Sequence, residues 1–69
     1  MTQKELLYVE DAIKHEENII SICEDMTNTL EDTDLVTFID EEIKKHEKFQ
    51  KELINFLEGK SNEWSSNNG

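Results

Sequence analysis

Residues 38–49 read FIDEEIKKHEKF, and how this stretch is read decides the fold. Phe38, Ile39, Ile43 and Phe49 recur at helical spacing, and nothing in the segment alternates as a strand would. Stepping about 100° per residue, Glu42 and His46 fall inside the apolar arc whose middle is set by Leu35, Ile39, Leu53 and Leu57. The segment is therefore an amphipathic helix that turns a carboxylate and an imidazole inward.

Working outward, proline is absent and the two glycines are Gly59 and Gly69, so little interrupts a helix before the chain is nearly finished. The second helix is expected over about residues 33–58, opened by Asp32 as N-cap with Asp34 in its first turn, where a negative charge meets the positive end of the helix dipole. Its inner side is expected to carry Leu35, Val36, Phe38, Ile39, Ile43, Phe49, Leu53, Ile54, Phe56 and Leu57. Gly59 is expected to end it as a left-handed residue, leaving 59–69 as a flexible polar tail in which Trp64 is a lone exposed aromatic. Upstream, Thr2 and Glu5 form a T-x-x-E capping box that starts a first helix over about residues 3–30. Its apolar positions are Leu6, Tyr8, Val9, Ala12, Ile13, Ile19, Ile20, Ile22, Cys23, Met26 and Leu30, at spacings of three and four.

Each helix is about 25 residues, roughly 38 Å at ~1.5 Å per residue, and the link between them is short. The expected fold is all-α, a two-helix antiparallel hairpin over residues 1–58. Its apolar faces are broader than a two-stranded seam needs, so a homodimer that closes into a four-helix bundle is the expected way to cover them.

The chain has 69 residues, with 17 acidic side chains, 7 lysines, no arginine and a formal charge of -10. A core of that size is marginal alone. Without arginine there is no planar fork for phosphate or guanine, and the overall field repels polyanions, so nucleic acid and anionic membranes are disfavoured as partners. One cysteine, Cys23, forms no internal disulfide; with no signal-peptide pattern or long apolar run, a cytoplasmic protein is expected. No nucleophile sits beside a base, and there is no glycine-rich phosphate loop and no cysteine cluster, which points away from an enzyme.

In a hairpin hinged near Glu31 and Asp32, Glu16 comes level with His46 and Ile20 with Glu42. Glu16, Glu42 and His46 are then expected to meet in one layer. A buried carboxylate must be paired, hydrated or bound to a cation. Glu42 and His46, four apart, can pair as a helical ion pair. In a two-fold dimer the three residues occur twice, giving four carboxylates and two imidazoles, the donor count of a dinuclear iron or manganese site in a helical bundle. The spacing differs, since such sites use Glu-x-x-His and the residue three before His46 is Ile43.

The KHEE segment around His15 and Glu16, the acidic turn, and His46 ahead of Phe49 make residues 5–58 similar to small ferritin-like, spore-coat-like proteins of spore-forming Firmicutes, each the shape of half a rubrerythrin bundle. The resemblance implies a hairpin that dimerises into a ferritin-like bundle. It does not imply ferroxidase or peroxidase activity, because the Glu-x-x-His pair is missing. Three functions are thus expected to compete: a non-catalytic structural or interaction module, a carboxylate-histidine metal protein holding iron or manganese, and an acidic inhibitor of a basic or nucleic-acid-binding protein.

Overall fold

A computed structural model describes the backbone of residues 1–68 and the side chains of residues 1–60. Two helices, α1 (Gln3–Thr29) and α2 (Thr33–Asn68), make up the described chain, lie in contact, and are accompanied by no strand. Both starts follow from local chemistry. At α1 the Glu5 amide donates to Thr2 Oγ1 at 3.0 Å and the Thr2 amide donates to Glu5 Oε1 at 2.7 Å, completing the expected capping box. At α2 the Leu35 amide donates to Asp32 Oδ1 at 3.0 Å, so Asp32 is the cap. The end of α1 is closed by threonines. Thr27 Oγ1 donates to the Glu24 carbonyl at 2.8 Å and Thr29 Oγ1 to the Met26 carbonyl at 3.1 Å, an oxygen that also accepts from the Leu30 amide at 3.0 Å.

One run of half-buried and buried residues steps by three and four: Leu6, Val9, Ile13, Glu16, Ile20, Cys23 and Thr27 on α1 with its C-cap Leu30, then Val36, Ile39, Ile43, His46, Gln50, Leu53, Leu57 and Lys60 on α2, while Ala12, Ile19 and Glu42 beside it are also half-buried. This 3-4 alternation is the seam of a coiled coil. Cross-helix contacts join Glu16 to His46 and Ile13 to Gln50, whose numbers rise on one helix as they fall on the other, which fits an antiparallel hairpin. The core is thin: among the described residues only Ile39, at 5% exposure, and Ile43, at 8%, are buried.

Two expectations are corrected. The second helix does not stop at Gly59; it continues to Asn68, and no glycine among the described residues has a positive φ. A glycine costs a helix roughly 1 kcal/mol relative to alanine but leaves its hydrogen bonds intact, so with no proline behind it the helix runs on. The expectation for Trp64 lies outside the described side chains. The inner face is also narrower than expected. Leu35, Phe38, Phe49, Ile54 and Phe56, all placed inward by the broad arc, are exposed. A two-helix seam has room for one narrow stripe per helix, and these side chains fall beside it.

Candidate functional site

The exposed apolar residues are not scattered. Numbering the seam as alternating a and d positions, the exposed Tyr8, Ile22 and Met26 and the half-buried Ala12 and Ile19 occupy the flank just before the seam on α1, and the exposed Leu35, Phe38, Phe49 and Phe56 occupy the same flank on α2. In an antiparallel pair the two-fold that relates the helices keeps front at front, so both flanks lie on one side. A shallow groove lined by Tyr8, Val9 and Phe56 together with Met1, Glu5 and Lys60 shows the two helices sharing that face. Tyr8 is 62% and Phe38 58% exposed. The opposite flank is charged, with Glu10, Glu17, Glu24, Asp40 and Glu47 alongside Lys14, Lys44 and Lys51, and Leu7 and Ile54 are its isolated apolar residues. The hairpin is two-faced, oily in front and charged behind.

A polar belt crosses the middle of the molecule. In the seam, Nδ1 of His46 meets Oε2 of Glu16, and these side chains are 31% and 12% exposed respectively. One helical turn on, the Gln50 amide reaches the Ile13 carbonyl at 3.5 Å, the long limit of such a contact. On the front face at the same height, Lys45 Nζ lies 3.1 Å from Glu42 Oε1, three residues before it. This belt divides the apolar face into a turn-side lobe (Ile19, Ile22, Met26, Leu35, Phe38) and an open-end lobe (Met1, Tyr8, Phe49, Phe56).

The three residues expected to share a layer are therefore split. Glu16 and His46 come together, and Glu42 does not join them; it sits on the front flank and pairs with Lys45. The reason is angular. Ile39, Ile43 and His46 hold the seam, and position 42 lies one step to its side. Among the described residues no group of three or more histidine, cysteine, aspartate or glutamate side chains is placed to hold a metal ion. Sequence reasoning passed over the second 3-4 stripe. Its signal was present in the steps Leu35, Phe38, Glu42, Lys45, Phe49, Glu52, Phe56, hidden because the two central members and Glu52 are charged.

No helix among the described residues is long and apolar enough to cross a membrane. Compared with protein-family models, with curated proteins and with solved structures, the chain matches none.

Proposed function

We propose that the protein is a small non-catalytic self-association module whose oily front face is covered by a second copy of the same chain, giving a four-helix bundle of ferritin-like shape. The observation that carries this reading is the gathering of exposed aromatic and aliphatic side chains onto one side of the hairpin. Patches of this extent on a small protein mark an interaction surface. The area suits the role. Twenty-seven residues of α1 at ~1.5 Å each and a molecular width of 17 Å give a face of roughly 700 Å², against the ~800 Å² that each partner contributes to a standard interface. The thin core supports it further, since a hairpin with two buried residues gains most of its remaining stability by association. A single thiol half-buried in the seam suits a reducing compartment such as the cytoplasm.

Sedimentation equilibrium tests the reading. The native chain is expected at twice its 8.1 kDa mass at micromolar concentration. Phe38→Glu or Phe49→Glu is expected to raise the dimer dissociation constant at least ~30-fold, as truncating or charging a buried aromatic anchor does. A native chain that stays at the monomer mass overturns it. A rise in Tm on adding ferrous iron or manganese to that monomer would favour the metal-binding alternative, because a ligand held by the folded state raises its stability.

A further inference from the structure

The two ends of the hairpin differ in charge far more than composition suggests. Residues 20–42, the turn half, hold eight of the seventeen acidic side chains and none of the seven lysines. All seven lysines lie at positions 4–14 and 44–60, in the half nearer the open end, where they almost balance the carboxylates around them. Two lysines of the open end lie beside the oily face. Lys4 Nζ is 5.8 Å from the Tyr8 ring centre and Lys60 Nζ is 5.7 Å from that of Phe56, so cations border the open-end lobe.

Resting on the self-association proposed above, we infer that the second copy docks head to tail, with the acidic turn of each chain over the lysine-bordered open end of the other. Two closed arrangements of a pair of hairpins make every neighbouring helix antiparallel, one with both turns at the same end and one with turns at opposite ends. The first brings together two turn halves that each carry eight carboxylates and no lysine. The second sets each turn half beside a half in which seven lysines stand against nine carboxylates, a formal -2 in place of -8. Charges within a Debye length of about 8 Å feel each other, so like-charge juxtaposition disfavours the first arrangement and selects the second.

The apolar face agrees. Its polar belt lies at mid-height, so a two-fold axis through Glu42 and Lys45 lays belt on belt while exchanging the lobes. The turn-side lobe of Ile19, Ile22, Met26, Leu35 and Phe38 then meets the open-end lobe with its Tyr8, Phe49 and Phe56 rings, bringing aliphatic, thioether and aromatic groups onto aromatic rings. At the belt, Lys45 of each copy gains a second carboxylate, the Glu42 of the other. A staggered dimer would instead bury this charged pair under an apolar lobe.

A zero-length carbodiimide cross-linker applied to the native chain tests the orientation. Lys60 and Asp34 are 26 residues apart on one helix, about 39 Å, and Lys4 is as far from Glu31, so amide links between these groups form only between chains. The expected result is Lys4, Lys51 or Lys60 joined to Glu31, Asp32 or Asp34 in the dimer fraction. A second measurement uses spin labels on Asn28→Cys in a Cys23→Ala background, with the label-to-label distance expected beyond 30 Å. A stable dimer that lacks every such link and brings the turn labels within ~20 Å overturns the orientation and leaves self-association standing. A chain that sediments as a monomer overturns both.

Discussion

The turn half and the open half of the hairpin solve opposite problems. In the turn half the seam buries Ile39 on α2, with Ile43 just beyond it, while Ile20 and Cys23 occupy the α1 side, yet residues 20–42 carry no lysine. Toward the open end the charges nearly balance, but Leu6, Val9, Leu53 and Leu57 reach only half-burial and Gln50 interrupts the seam. Apolar burial is thus concentrated where repulsion is greatest. The difference teaches that each half lacks what the other has, which a head-to-tail copy would supply to both.

Core truncation gives the largest expected effect. Ile39→Ala in the turn half should cost about 2–4 kcal/mol in urea unfolding, whereas Leu57→Ala in the open half should cost about half as much, because the residual cavity there is open to water. Equal losses would break the contrast between the halves.

The boundary between them comes next. His46→Leu leaves the mostly buried Glu16 carboxylate without its partner and should cost about 1–3 kcal/mol. Glu16→Leu leaves an imidazole that is one-third exposed and can be neutral, so its cost should be under ~1 kcal/mol. The double Leu variant should equal or exceed the native Tm, since a well-packed apolar pair replaces an ion pair at little loss. Equal costs for the two single changes would show that the carboxylate has water enough without the histidine.

Caps sharpen the comparison at smaller scale. Asp32→Ala removes the acceptor for the Leu35 amide at the turn and should cost about 1 kcal/mol, read from the same unfolding curves. At the open end, the backbone amide and then the side chain of Thr2 hold the Glu5 carboxyl below its ordinary value of 4.5. A carboxyl with a lowered folded value contributes stability above its unfolded value and loses it as pH falls through the folded one. Acidification from pH 5 downward should therefore fray the first turn of α1 before the turn region opens, seen as faster exchange of the Glu5 amide. Thr2→Ala, which keeps the backbone donor and loses the hydroxyl, should weaken that pH dependence without abolishing it.

Much of this was legible in the residues. The capping box at Thr2 and Glu5, the cap at Asp32, the helical period and the level pairing of Glu16 with His46 depend on contacts within a few positions or on the simple geometry of a hairpin. The end of α2 was misjudged because glycine permits a left-handed stop without requiring one; at Gly59 a side chain would meet nothing within 4 Å, so no neighbour dictates the backbone there. Glu42 was misplaced because a single helical wheel gives a broad apolar arc and does not say which part of it a partner will occupy.

By itself the sequence determined two long helices, their starts, and an excess of carboxylate around the turn, since hydrogen-bonding side chains, chain period and formal charge act over a turn or two of helix. Tertiary structure decided which stripe of each broad arc became the seam and which became an exposed front face. That choice depends on how two particular helices share limited contact area, a property of the pair that neither helix carries alone.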